Sequence, residues 1–445
     1  MSEYVNAFPG YEFKYVEGFK TKQNMYRGTN LGFGGYVYYE EGAYRNVALL
    51  DVQSLHPASI ISLNKFGKYT DKYRELRDLR IAIKEHDLDR ARKMMGGALA
   101  DFLNNEEEAD QLAQAAKLIL NSTYGFCSAT FENPFKDSRD SNNIVALKGA
   151  LMMRTLQDEV QKRGFTVAHI KTDSIKIPDA TPEIVEFVME FAKPYGYVFE
   201  FEALYDRMCL VNGSTYIAKY ASPETCEKIH GRVPKDNRKH PNEWTATAKQ
   251  FQVPYVFKTL FSKEPIEFND LCETFEVKAG VLNLDMNENL TDVSVYETEY
   301  EKLEDKYKKG QLSDTTFESE CQRLNDLIAE GHNYRFIGRV GRFCPVLPGS
   351  NGGVLYRKQN NKYYAATGSK GFRWLEAETV DLLDKKDQID KSYYHKLVDD
   401  AVEAISKYCD FEQFVSDDPY IPEPKEPVYD WMNIPEDAPE ELPFD

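Results

Sequence analysis

Paired cysteines, long apolar runs and an excess of basic residues are all missing from this sequence. Its seven cysteines (Cys127, Cys209, Cys226, Cys272, Cys321, Cys344 and Cys409) are odd in number, scattered and never spaced as CxxC. That pattern argues against both a disulfide framework and a zinc ribbon, so reduced thiols in a cytosol-like compartment are expected. Cys226, His230 and His240 lie near one another in the chain but lack a fourth ligand and a second cysteine, and zinc is not expected there. No apolar run approaches the roughly 18 residues needed to cross a bilayer. The opening MSEYVNAFPGYEF has neither a basic nor an apolar leader segment, so neither export nor membrane insertion is expected.

A net charge of −18 argues at first against a nucleic-acid partner, because binding a phosphate backbone uses Lys and Arg to displace counterions. The distribution weakens that exclusion. Residues 409–445 hold twelve Asp and Glu against one lysine, a net −11 that leaves −7 for residues 1–408. What is present suits a large folded protein: 445 residues, 42% of them apolar, are enough for roughly three domains with buried cores.

Along the chain, alternating aromatic and small residues (GGYVYYEEGAY) precede NVALLDV and SLHPASIISL, predicting a hairpin, a buried strand and a turn into a helix over 36–62. Two helices are expected over 70–128 and one over 143–163. Short strands are expected at 165–170 and 174–178 around KTDS, then a helix at 182–193 and extended chain over 198–220. The basic stretch HGRVPKDNRKHP (230–241) reads as a loop, 294–331 as a charged helical hairpin turning at Gly310, 334–374 as several strands, and 391–408 as a helix. The Pro-rich acidic tail of residues 409–445 predicts no regular structure.

Three segments carry chemistry: DVQSLHPASI (51–60), KLILNSTYG (117–125) and KTDS (171–174). Asp51 ends a buried strand and Asp173 sits in a tight turn, so both can project from a sheet edge. Two carboxylates so placed can hold paired Mg²⁺ ions about 3.5–4 Å apart. On a helix Lys117, Asn121 and Tyr124 share one side, presenting a cation, an amide and a flat ring, and Gly125 leaves room beside the ring. Arg77, Arg80 and Lys84 repeat that spacing beside an apolar stripe of Leu76, Leu79 and Ile83. Alone such a stripe is a solvated helix face; beside a metal-phosphate site it reads as a triphosphate clamp.

The ordered trio resembles the three polymerase motifs of family B DNA polymerases, and the similarity runs from about residue 26 to about residue 290. The resemblance implies an α+β fold, a right-hand polymerase with an antiparallel-sheet palm, short helical fingers and a thumb. It places an N-terminal segment and the first part of the palm in 1–66, fingers in 67–128, palm in 129–222, thumb in 223–332, a further β-rich and helical part in 333–408 and the tail in 409–445. It implies primer extension on a DNA template with dNTPs, with two Mg²⁺ ions (Mn²⁺ able to substitute) held by Asp51, Asp173 and the Val52 carbonyl. Ser54, Leu55, His56, Arg80, Lys84, Lys117, Asn121 and Tyr124 would contact the nucleotide. Gly34 and Gly35, after Phe33, resemble the family's YxGG segment; with Gly125, Thr172, Tyr216 and Lys219 they would contact primer-template DNA.

The departures are specific. His56 stands where the family has the tyrosine that excludes a 2′-hydroxyl; either it is a smaller sugar gate, or the gate is looser and Leu55 or Asn121 compensates. Lys171 replaces the first aspartate of DTDS, and a lysine about 8 Å from a metal at a dielectric of about 20 repels each unit of charge by roughly 2 kcal/mol. VNGSTY (211–216) lacks the paired lysines of KKxY, leaving primer grip to Lys219 or to Arg232, Lys235, Arg238 and Lys239, which read equally as surface charge. About 50 residues precede Asp51, too few for an exonuclease domain, so a separate exonuclease subunit is expected, as in a split, bacteriophage-like polymerase in a host cell's cytoplasm. The acidic tail, ending EELPFD, could hook a replication partner. Two alternatives stay open: an inactive polymerase-fold DNA-binding subunit, and a primer-independent primase-polymerase.

Overall fold

The computed structural model describes residues 8–136, 142–287, 290–360 and 362–422. The chain forms two compact units, Met1–Ala246 with Ile405–Asp445, and Thr247–Ala404. Both mix helices with antiparallel sheets, the α+β class.

Unit 1 is built on a seven-stranded sheet. Its strands are β1 (Val37–Tyr39), β2 (Gly42–Val52), β3 (His169–Lys171), β4 (Ser174–Ile177), β5 (Phe199–Asn212), β6 (Thr215–Tyr220) and β7 (Trp244–Ala246), in the order β7-β6-β5-β2-β4-β3-β1 with every neighbour antiparallel. Strand β2 reads as a continuous apolar run because both faces are covered. Ala48, Leu50 and Val52 enter one core with Leu147, Leu151 and Met152, while Tyr44, Val47 and Leu49 enter another with Tyr205 and Met208. The register against β5 shifts between Leu49 and Leu50, which lie opposite Ala203 and Phe201, so Glu202 is the extra residue there.

The hairpin expected at 36–62 does not form. Strands β1 and β2 are two residues apart in sequence, yet β3 and β4 lie between them in the sheet. The β3–β4 hairpin supplies the pairing edge for both, Tyr38 opposite Ile170 and Leu50 opposite Ile175, and the link at Glu40 turns a corner with its N–H donated to the Ala168 carbonyl at 2.9 Å.

Helix α1 (Leu55–Ser62) leaves the end of β2, followed by α2 (Thr70–Lys84) and α3 (Glu106–Ser128). The side chain of Asn105 caps α3 by accepting the Glu108 N–H at 2.9 Å, and Glu106, Glu107 and Glu108 suit the positive end of its dipole. Ala109 and Ala113, one helical turn apart, bring α3 close to Leu79, Ala82 and Ile83 of α2. Fully burying an aliphatic chain such as Leu79 is worth about 1.5–3 kcal/mol, so this contact holds the basic stripe of α2 in place. Behind the sheet lie α4 (Ile144–Lys162) and α5 (Pro182–Phe191).

Two stretches depart from the sequence reading. Residues 223–246, expected with the thumb, belong to unit 1, and part of the predicted loop is helical: α6 (Pro223–His230) and α7 (Lys235–Lys239). The buried Asn237 side chain ties α7 to the sheet, donating to the Leu204 and Ala221 carbonyls and accepting the Leu204 N–H, each at 2.8 Å. The first part of the tail, expected without structure, includes the helix Phe411–Val415 and packs onto unit 1. Arg207, only 2% exposed, donates to the carbonyls of Phe414, Ser416 and Asp418. Phe414 is buried near Trp244. The remainder of the tail, with EELPFD, lies outside the described residues.

In unit 2, α8 (Leu290–Lys308) and α9 (Asp314–Gly331) form the expected hairpin, with Gly310 at φ 69° between them. Strands β8 (Glu273–Glu276), β9 (Val281–Asp285), β10 (Tyr334–Gly338), β11 (Val340–Val346), β12 (Val354–Gln359), β13 (Lys362–Ala365) and β14 (Arg373–Glu376) make two antiparallel sheets, β8-β11-β14 and β10-β9-β12-β13. The helix predicted near 391–408 spans Ser392–Ser406.

Candidate active site

The site begins where β2 ends. Asp51 lies opposite Ser174 of β4 on one side and Glu200 of β5 on the other. The Val52 N–H donates to the Asp173 carbonyl at 2.9 Å, locking the two motif segments together. Between Lys171 and Ser174 the turn is only Thr172-Asp173, and Thr172 takes φ 58°, a strained value for a β-branched residue. Its N–H donates to the Tyr36 carbonyl at 2.9 Å. A Cβ on Gly35, itself at φ 140°, would sit 2.7 Å from Thr172 Cγ2. Gly35 is thus glycine so that the turn carrying Asp173 can press against it.

Electrostatically this floor is crowded. Burial, then Asp173, Glu202 and Glu200, push the Asp51 carboxyl up to about 8, opposed by Lys176. Burial also raises Asp173, and burial with Asp236 raises Glu202. Lys176 is buried beneath them and brought down to about 8 by burial, with Asp51 and Glu202 acting the other way. Burial and neighbouring acids disfavour the charged form of Asp51, and a cation bound there would offset both. Among the described residues no three His, Cys, Asp or Glu side chains form a ligand set by themselves. Asp51 and Asp173 therefore fit a divalent ion that completes its shell with backbone carbonyl, water or substrate oxygen.

Above the floor opens a cleft of about 1120 Å³. Arg80 and Lys84 reach it from α2, Lys117 and Asn121 from α3, and Arg232, Lys235, Arg238 and Lys239 from the segment around α7. The Arg80 guanidinium donates to Ser54 Oγ at 3.3 Å, and Ser54 adopts a left-handed conformation (φ 56°) where the chain turns into α1. His56 stacks on Tyr124, ring centroids 3.8 Å apart and planes 10° apart. Burial lowers His56 to about 4, and its Nδ1 is buried without a hydrogen-bond partner. Burial thus disfavours the charged form of the ring. Asn143 donates to the Tyr124 hydroxyl at 3.2 Å and to the Phe33 carbonyl at 2.7 Å.

Of the residues predicted from sequence, Asp51, Val52, Ser54, Leu55, His56, Arg80, Lys84, Lys117, Asn121 and Asp173 all line this one cleft. Tyr124 stands behind His56. Gly125 is exposed with open space beside it, Gly34 is exposed, and Gly35 and Thr172 meet at the Asp173 turn. Two predicted residues sit elsewhere. Tyr216 is buried with Tyr205 and Met208 on the far face of the sheet, and Lys219 pairs with Asp417 at 2.9 Å. Arg77 pairs with Asp78 at 2.5 Å and is not in the cleft lining. Glu200, Glu202 and Lys176 went unnoticed in the sequence. The signal was the alternation FEFE at 199–202, which puts both glutamates on one face of a strand.

No protein-family model matches the sequence, and no curated protein does. Among solved structures the chain is similar to the family B DNA polymerase from the hyperthermophilic archaeon Pyrobaculum calidifontis, at 13% identity and a TM-score of 0.38. The match covers 83% of this chain and 46% of that one, so the chain spans about half the length of that polymerase.

Proposed function

We propose that this chain is a DNA-templated DNA polymerase that extends a primer by transferring nucleotides from dNTPs. The observation that carries the reading is the convergence, in one cleft, of Asp51 and Asp173 with Arg80, Lys84, Lys117 and Asn121 from separate elements. An acidic floor facing a basic wall suits nucleotidyl transfer from a triphosphate to a primer 3′-hydroxyl, with pyrophosphate as the leaving group.

In this reading Asp51, Asp173 and the Val52 carbonyl hold two Mg²⁺ ions. When bound, these supply charge neutralisation of the triphosphate and acidify the primer 3′-hydroxyl. Arg80, Lys84 and Lys117 grip the phosphate oxygens, the two guanidinium nitrogens of Arg80 suiting bidentate contact. Arg80 turns from Ser54 to the phosphates, and Ser54 and Leu55 border the nucleotide. His56, held flat by Tyr124, lies under the sugar and crowds a 2′-hydroxyl. Gly34, Gly35, Gly125 and Thr172 border the template and primer. Lys171, at the exposed side of the turn, directs its charge toward DNA.

Primer extension with Mg²⁺ tests the proposal. Wild type should lengthen a labelled primer and Asp173→Ala should not. A wild-type protein that binds primer-template but never extends it would replace this reading with a DNA-binding subunit. Product on an unprimed template would replace it with a primase-polymerase.

A further inference from the structure

Charge is distributed unevenly in unit 2. Residues 332–375 contain eight Lys and Arg and not one Asp or Glu, in a protein of net charge −18. That stretch contributes β10, β12 and β13, three of the four strands of one sheet. A basic segment of this length in an acidic protein is an electrostatic footprint for a polyanion.

The register places aromatics together on one face of that sheet. Phe336 and Tyr356 both lie opposite Asn283 of β9, Tyr334 lies opposite Asp285, and Tyr363 lies opposite Lys358. Tyr334 and Tyr363 stack with centroids 3.8 Å apart, and Tyr356 meets Tyr334 edge-on at 5.9 Å. Lys358 stands 5.1 Å from the Tyr363 ring centre. Asp285, the acid on this face, is fully buried and satisfied by His332 and the Asn333 N–H. Phe336 leaves 68% of its surface exposed, and Arg339 just beyond it is exposed.

We propose that this face binds single-stranded DNA. Exposed and half-buried rings on adjacent strands are stacking platforms for unpaired bases, and Lys358 and Arg339 neutralise the phosphates between them. A duplex offers cations its backbone but offers the rings no free base face, which selects the single strand. The inference does not depend on the chemistry of the cleft.

The test is fluorescence anisotropy of an oligo(dT) strand with the full chain, alongside bromodeoxyuridine crosslinking mapped by mass spectrometry. Phe336→Ala removes an exposed ring and leaves the fold intact. It should weaken oligo(dT) binding about five- to a hundredfold, the value of a stacked base. Lys358→Ala should reduce the slope of log affinity against log salt by about 0.7 per lost phosphate contact. Crosslinks should fall within residues 334–365. Unchanged affinity in both variants, crosslinks confined to the cleft, or tighter binding of a duplex of equal length would each overturn the proposal. Extension of a fully annealed primer by Phe336→Ala should match wild type, so loss of this binding and loss of polymerase activity are told apart.

Discussion

The cleft of unit 1 and the aromatic sheet of unit 2 use charge in opposite ways. In the cleft, partly buried carboxylates share one space with the cations of α2 and α3. On the sheet, Lys358 and Arg339 stand near the rings, and the acid on that face, Asp285, is buried and taken up by His332 and the Asn333 N–H. Opposed, partly desolvated charges are poised for chemistry, because they are stabilised only when substrate and counter-ion arrive. A solvated, single-signed surface with aromatics is suited to holding a chain without changing it.

The largest effect that would break this contrast comes from the acidic floor. Asp51→Asn should lower primer extension by on the order of a thousandfold or more while leaving oligo(dT) affinity at the sheet within twofold; a variant that keeps synthesising would sink the assignment of the floor. Next is Arg80→Ala. Loss of a charged phosphate contact should lower kcat/KM for dNTP by on the order of a hundredfold, with KM carrying much of the change in steady-state assays. Gly35→Ala tests whether the floor is positioned from outside. The new Cβ collides with Thr172 and requires a positive φ, costing about 1–3 kcal/mol and moving Asp173, so extension should fall while oligo(dT) binding by the sheet holds. Urea unfolding and primer extension together read both effects.

The smallest prediction concerns pH. His169 is buried, and burial followed by Lys176 lowers it to about 4, while its ring accepts the nearby Lys176 ammonium at 3.3 Å. An unfolded histidine titrates near 6.5. The folded state therefore binds fewer protons than the unfolded one between those values. The stability this confers is present above about pH 6.5 and lost as pH falls through about 4. The loss is at most about 3 kcal/mol for this group, and His56 acts with the same sign. His169→Gln should flatten urea-unfolding free energy over that window; an unchanged slope would show that the histidine does not titrate as described.

Much of the site was legible in the sequence because its chemistry is carried by short segments. Asp51, His56, Lys117, Asn121 and Asp173 could be named from DVQSLHPASI, KLILNSTYG and KTDS, and the helical spacing of Arg80 and Lys84 put both on one side of α2. Helices over 70–128, 143–163 and 182–193 followed from apolar periodicity. What could not be read was sheet order. The 36–62 stretch looked like a hairpin because alternation reports which residues face a core, and says nothing about which strand pairs with which.

Local spacing along the chain was enough to determine the two motif carboxylates, the basic stripe of α2 and the acid-free segment from 332 to 375. Only the tertiary structure decided what surrounds them. Register across β2, β4 and β5 brought Glu200, Glu202 and Lys176 beside Asp51. Close packing set Gly35 under the Asp173 turn and His56 against Tyr124. Buried Arg207 drew residues 413–418, acidic and apparently structureless in sequence, back onto unit 1. The physical reason is that hydrogen bonds and charges act over a few ångströms through space, and residues far apart in a chain become neighbours only when a sheet closes and a core excludes water.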